Sequence, residues 1–229
     1  VNIPQNNSIK PSKKSRLGLN LGIVFAIIIA IVVICFICNR NIFSNNNTDK
    51  LSDDINLQYL LTDINVKFPS KQFTLPCKAE DLTNKGLFSN LDLTGRTVQK
   101  FFASSLRDTI DGHSVSFDFS TFTDTIPLSE ATVSGFSMNY YGTNAKFDGI
   151  NIGTGTYEEV FQKYGMPNEQ ITKEYVESKL ASLPPDSSYS IDYQIHAKED
   201  AQSIYSKVNL QFKIKSDGKI YEVLINWGK

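Results

Sequence analysis

Val208-Asn209-Leu210-Gln211-Phe212-Lys213-Ile214, then Ser216-Asp217-Gly218-Lys219, then Tyr221-Glu222-Val223-Leu224-Ile225-Asn226-Trp227, settles the class of fold. Val208, Leu210, Phe212 and Ile214 alternate with polar residues, the period of a strand with one buried and one wet face. Asp217-Gly218 between two such runs predicts a tight hairpin turn. Tyr221, Val223, Ile225 and Trp227 continue the alternation on the returning strand. Upstream, Tyr189, Ile191, Tyr193 and Ile195 repeat it. Three neighbouring amphipathic strands must hide their shared face under another layer.

The clearest helix stands ready to cover them. Thr156 is its predicted cap, with Glu159 completing a capping box. Tyr157, Val160, Phe161 and Tyr164 form its apolar face, Gly165 ends it and Pro167 prevents its resumption. A second helical stretch is predicted over Thr172 to Leu183, stopped by Pro184-Pro185. Earlier in the chain, Asn65 to Phe68 and Gln72 to Leu75 read as short strands around Pro69-Ser70. Ala79 to Lys85 reads as a short helix stopped at Gly86. Val98 to Ala103, Ser114 to Phe119, Thr132 to Tyr140 and Asp148 to Ile152 carry strand composition. Strand, short helix, glycine and several strands thus occur around Gly86 and again around Gly165. The expectation is an α+β fold: antiparallel sheet packed by short helices, with a duplicated helix-plus-sheet unit whose halves are 59–145 and 146–229.

One unbroken apolar run, Leu17 to Cys38, precedes this domain, with Asn20 its only polar side chain. As a helix its 22 residues rise about 33 Å, enough for a hydrocarbon core. Lys10, Lys13, Lys14 and Arg16 stand before it, so residues 1–16 are expected in the cytoplasm and the chain beyond about 40 outside the cell. A cleaved signal would have a shorter core and a small-x-small site. A lipoprotein would want a small residue before Cys35 or Cys38, where Ile34 and Ile37 stand. An uncleaved single-pass anchor at 17–38 is therefore expected, with a flexible linker over 39–58 and an exported domain over 59–229. Gly18, Gly22, Ala26 and Ala30 recur every four residues. Ordinary membrane-helix composition explains that spacing, and so does a homodimer or docking to another membrane helix.

Residues 1–50 carry a net charge of +5, and residues 51–229 carry 17 basic against 23 acidic side chains, a net of −6. An acidic exported domain argues against a nucleic-acid partner and against lying flat on anionic lipid. Cys77 is the sole cysteine after the anchor, so the domain has no internal disulfide. That is unremarkable for a bacterial surface protein.

Two motifs carry a resemblance. Phe73-Thr74-Leu75-Pro76-Cys77-Lys78, followed by a short acidic helix ending at Gly86, resembles the opening of exported domains of Clostridia-type Gram-positive bacteria. Those proteins are mostly membrane-anchored or lipoproteins. Gly149 to Gly153, the helix Tyr157 to Lys163, then Tyr164-Gly165-Met166-Pro167 resembles their later signature. It is also similar to the helix-and-sheet repeat of the β-lactamase inhibitor protein and of SmpA-type envelope lipoproteins. The resemblance covers residues 64–229, with Thr172 to Pro185 looking like an insertion. It implies an α+β fold and a non-enzymatic envelope role, and it carries no inhibitory residues over.

Signs of chemistry are weak. Ser216-Asp217-Gly218-Lys219 spells an acylation motif, but on a turn between strands rather than a helix. Gly149, Gly153 and Gly155 precede a helix without the residues of a phosphate loop. His113, read in a turn, and His196, at a strand end, lack ligand spacing. Asp108 to Gly112 lacks the alternating ligands of a calcium loop. Glu80-Asp81 and Glu158-Glu159 fit helix first turns. Tyr140-Tyr141, Tyr189, Tyr193, Tyr205, Tyr221 and Trp227 are either core or, on a wet sheet face, a platform for sugar or peptide; Tyr140 and Tyr141 are the candidate ligand-binding pair. The expected role is a non-catalytic cell-surface module without cofactor or metal. Its partners would be the bilayer, through 17–38, and a protein or wall component. The alternative is an accessory subunit of a membrane or envelope assembly.

Overall fold

Two β-hairpins and two three-stranded meanders make up the domain, seen in a computed structural model that describes residues 50–141, 144–199 and 203–229. The first hairpin is β1 (Ile64–Lys67) and β2 (Gln72–Leu75). Helix α1 (Ala79–Asn84) follows, then the short β3 (Thr97–Val98). The first meander is β4 (Ser104–Ile110), β5 (His113–Ser120) and, after the short β6 (Ile126–Pro127), β7 (Thr132–Asn139). The second hairpin is β8 (Ala145–Phe147) and β9 (Ile150–Ile152). Helices α2 (Tyr157–Tyr164) and α3 (Lys173–Ala181) lead to the second meander, β10 (Ser188–His196), β11 (Lys207–Lys215) and β12 (Ile220–Gly228).

The meanders join into one six-stranded antiparallel sheet of order β10-β11-β12-β7-β5-β4. The last strands of both meanders, β12 and β7, are its central pair. The hairpins join likewise into a four-stranded sheet of order β2-β1-β8-β9, with the first strand of each at the centre. β3 and β6 pair separately. Sheet-rich architecture with a few short helices fits the expected α+β class. The apolar run 17–38, with Gly18, Gly22, Ala26 and Ala30, lies outside the described residues. Among the described residues no helix is long and apolar enough to cross a membrane.

The small sheet and the helices cover one face of the large sheet. Phe73 on β2 packs against Phe117 and Phe136, and Phe147 on β8 against Phe136 and Phe212, with ring centroids 5.7–6.2 Å apart. Tyr164 of α2 adds rings at 5.5 Å to Phe212 and 5.6 Å to Tyr193. Burying this aromatic layer is the main term that holds the two sheets together.

Several expectations shift locally. Val98 to Ala103 is not a strand. β3 ends at Val98, and Gln99 to Ala103 form an exposed turn, held by Phe101 N–H donating to the Thr121 carbonyl at 3.1 Å. Asp148-Gly149 is a turn, not part of a strand, with φ of 50° and 86° at its two residues. No side-chain cap forms at Thr156, so the capping box is not made; the first helical amide, that of Tyr157, donates to the Gly218 carbonyl instead. His113 is fully buried at the start of β5, its Nδ1 3.0 Å from the Asn139 carbonyl. Tyr221 leaves the buried face. Lys213 pairs with Glu222 but Ile214 with Ile220, so Tyr221 is the extra residue of a bulge and Ile220 takes its place inside. The chain joins the domain before 59: Leu51 bridges to Met166, and Leu57, Leu60 and Leu61 are buried.

Candidate functional site

The face of the six-stranded sheet turned away from the core is built from the polar half of each alternation. Two rows cross all six strands in register. One is Asp192, Gln211, Leu224, Ser137, Ser116 and Arg107; the next is Gln194, Asn209, Asn226, Gly135, Asp118 and Ser105. Asp192, Gln194, Asn209, Asn226, Arg107 and Ser105 are exposed. Amides and hydroxyls supply donors and acceptors together, and the pleat sets them about 4.8 Å apart across strands.

Part of this lattice is already tied internally. Gln211 Nε2 donates to Asp192 Oδ1 and Ser105 Oγ to Asp118 Oδ1, both at 2.5 Å. Lys213 Nζ reaches Glu222 Oε2 at 2.7 Å, and this hydrogen bond raises the Lys213 pKa. Gln194, Asn209, Asn226 and Leu224 line an open depression of about 480 Å³ on the β10–β12 half. Gly135 extends it. A side chain there would meet Asn226 Oδ1 at 2.7 Å and Asp118 Oδ2 at 2.8 Å, so glycine leaves both oxygens facing one gap at the sheet's centre. The face can hydrogen-bond an extended polar ligand. Its residues in these rows include no histidine or cysteine.

Of the aromatic residues read as either core or wet-face platform, three are core, and Tyr221, the half-buried bulge residue, is the one that leaves the buried face. Tyr193 and Tyr205 are buried, donating to the carbonyls of Gly165 and Val133 at 2.7 Å each, and Trp227 Nε1 donates to the Leu60 carbonyl at 2.8 Å. Tyr189 is half-buried beside Tyr175. Tyr140 and Tyr141 follow β7 at one end of the sheet. The Tyr140 ring is laid over Gly153 and lies 6.0 Å from the His113 ring; it is 36% exposed, whereas Tyr141 is 63% exposed.

The other sequence candidates are absorbed by the fold. Lys219 pairs with Asp217 rather than Ser216. The amides of Gly153 and Gly155 donate to the carbonyls of Ile220 and Asn151, which spends them within the chain. Asp108 accepts from the backbone of Phe88, and Asp111 from Ser70. Burial, then the charge of Asp81, pushes the Cys77 thiol up to about 12. Among the described residues no group of three or more His, Cys, Asp or Glu side chains could hold a metal ion.

A buried polar cluster centres on Asp148. Its Oδ2 accepts from Tyr59 at 2.7 Å and Tyr164 at 2.9 Å and lies 3.0 Å from Lys163 Nζ, which also donates to the Asp148 carbonyl. Burial first, and the Asp148 charge second, raise both tyrosine pKa values. This cluster pins the β8–β9 turn to α2 and to the 3-10 helix Gln58–Leu61.

Sequence reading missed two features. The register rows were invisible because no local signal says which strands pair. The adjacent pair Phe101 and Phe102, 74% and 66% exposed, lies in a turn although aromatic residues favour strands. No family model matches the chain, and no match arises among curated proteins or solved structures.

Proposed function

We propose that this chain is a membrane-anchored cell-surface binding module without catalytic activity. Residues 17–38 would span the membrane, with 1–16 in the cytoplasm and the domain outside. The uncovered sheet face would take an extended polar ligand, a protein segment or a wall polysaccharide. The observation that carries this reading is the pair of register rows, a mostly polar array across six strands in which Asp192, Gln194, Asn209, Asn226, Arg107 and Ser105 are exposed. Each half supplies a hairpin, a helix closed by a glycine and a meander, in mirrored sheet order, with α3 an addition in the second half; Gly86 and Gly165 follow α1 and α2 with φ of 75° and 74°. We read this as a duplicated unit, in keeping with the resemblance to Clostridia-type exported domains.

Photo-crosslinking from Asn209 and Asn226 in full-length protein on cells tests the proposal, with exposed Lys173 of α3 as reference position. A discrete protein adduct or wall material captured from the sheet positions and not from Lys173 is expected. Equal capture from all three, or none from the sheet, would sink it. The second reading, an accessory subunit of a membrane assembly, is favoured by the spacing of Gly18, Gly22, Ala26 and Ala30. Gly22→Ile would then weaken association in a membrane-dimerisation assay, and no change would sink this reading.

A further inference from the structure

The end strands of the four-stranded sheet, β2 and β9, each lead through a short link into a helix. The two links correspond residue for residue. Lys78 bridges to Thr132 as Thr156 does to Lys219. The carbonyls of Cys77 and Gly155 accept from the amides of Val133 and Ile220, and the amides of Ala79 and Tyr157 donate to the carbonyls of Ala131 and Gly218. The strand edges do not correspond. Beside β9 the chain covers its own edge: the Asn151 carbonyl accepts from the Gly155 amide at 3.0 Å, and the Gly153 amide donates to the Ile220 carbonyl at 2.6 Å. That closure needs glycine, because a side chain at 155 would collide with the Asn151 carbonyl. Cys77 stands at the matching position in the first half, and there the edge is open.

The ladder decides which groups of β2 face outward. Phe68 N–H donates to the Lys71 carbonyl, and the Asn65 carbonyl accepts from Asp148 on the far side of β1. Thr74 pairs with Asn65 and Gln72 with Lys67, so Gln72 and Thr74 turn N–H and C=O away from β1. Among the described residues these four groups have no hydrogen-bond partner. Beyond them is a groove of about 670 Å³, with Gln72 to Thr74 as one wall and Asp81, Leu82 and Lys85 as the other. Lys71 Nζ spans one end, donating to the carbonyls of Lys85 and Gly86 at 2.9 and 3.1 Å. Asp81 is held by the Lys78 amide, and neither Lys71 nor Lys85 has an ion pair among the described residues. Donors and acceptors at the repeat of a strand are matched by another extended main chain. With α1 across the groove, what enters is a single strand rather than the edge of a second sheet carrying its own helix. Antiparallel to β2, its C-terminal side reaches Lys71 and Lys85, which answer an acidic group.

We propose that the groove between β2 and α1 binds an extended peptide segment of a partner protein by strand addition, antiparallel to β2, with a carboxylate of the peptide at the Lys71–Lys85 end. The site is on the four-stranded sheet, apart from the polar face described above, and stands whether or not that face binds a ligand. The test screens full-length protein against a random-peptide display library with free C-termini, then reads the affinity of the enriched peptide by fluorescence anisotropy. Methylating its backbone nitrogens one at a time is expected to weaken binding about tenfold at two positions separated by one tolerant residue, the alternation of a paired strand. Thr74→Pro keeps an edge strand but removes one outward N–H, so it is expected to lose the peptide with its unfolding midpoint near the parent's. No peptide enriched over the Thr74→Pro protein, or methylation losses without alternation, overturns the proposal. Binding that survives Thr74→Pro but fails in the Asn209→Ala, Asn226→Ala double variant places peptide recognition on the large sheet and overturns it as well. A dimer that forms in the parent and not in Thr74→Pro gives the edge to a second copy instead. If Thr74→Pro does not fold, the methylation scan on the parent protein decides alone.

Discussion

The hydroxyl of Tyr164 donates to Oδ2 of Asp148 at 2.9 Å, and the same oxygen accepts from Tyr59 at 2.7 Å. One carboxylate thereby satisfies two buried hydroxyls and the Lys163 ammonium. Asp148→Ala removes all three partners at once and takes away a residue that tolerates φ of 50°. A loss of about 3–5 kcal/mol is expected in urea unfolding. Asp148→Asn keeps the turn and one acceptor and should cost roughly 1–3 kcal/mol. Equal losses for the two would show that the turn, not the charge, matters.

Buried tyrosines should set an alkaline limit. Tyr59, Tyr164, Tyr193 and Tyr205 all have pKa values raised, with burial the first cause in each. Above pH about 10 the unfolded chain loses these protons while the folded chain keeps them. The unfolded state then binds fewer protons, so stability falls as pH rises. Below that range these groups leave stability unchanged. Tyrosinate absorbance should rise in step with unfolding, and Tyr193→Phe should flatten the pH slope by up to about 1.4 kcal/mol per pH unit.

Tyr140 and Tyr141 are neighbours with different fates. Gly153, at φ of 100°, lies directly under the Tyr140 ring, so Gly153→Ala meets both backbone strain and a clash. A loss above about 2 kcal/mol is expected. Tyr141→Ala, at an exposed position, should stay within about 0.5 kcal/mol of the parent. Thermal unfolding of the two variants decides whether the pair divides in this way.

Cys77 should be a slow thiol. With its pKa pushed up to about 12, burial first and the Asp81 charge second, little of the thiol is thiolate at pH 8. Alkylation of the Cys77 peptide, followed by mass spectrometry, should be negligible in the folded protein and fast in urea. Rapid labelling of folded protein would overturn the raised pKa of this half-buried thiol.

Much of the second meander was legible because period-two alternation is local: β10, β11 and β12 follow from Ile191, Leu210 and Val223 and their neighbours. The bulge at Tyr221 was not, because it comes from the mismatch of two strands in register, which neither strand encodes alone. Phe101 and Phe102 misled for a related reason. Aromatic content favours a strand, and only the pairing of β4 with β5 decides that the strand starts at Ser104. The candidate site shares this limit. Asn209 and Asn226 each read as the wet half of an alternation, but that they stand side by side beside Gly135 is a fact of long-range pairing.

That adjacency gives the sharpest test of the sheet face. Asn209 and Asn226 are exposed and absent from the hydrogen bonds that tie Gln211 and Ser105. Removing them should leave folding alone, with Asn209→Ala and Asn226→Ala each within about 0.5 kcal/mol of the parent. Asp118→Ala, which frees Ser105 and widens the gap over Gly135, serves as the comparison on the same rows. If the face recognises a polar ligand, the double variant loses capture of that ligand on cells while its unfolding midpoint is unchanged. Retained capture with an unchanged midpoint would place recognition elsewhere on the domain. A lowered midpoint would mean that the amides hold the sheet together and that their place on its open face is structural.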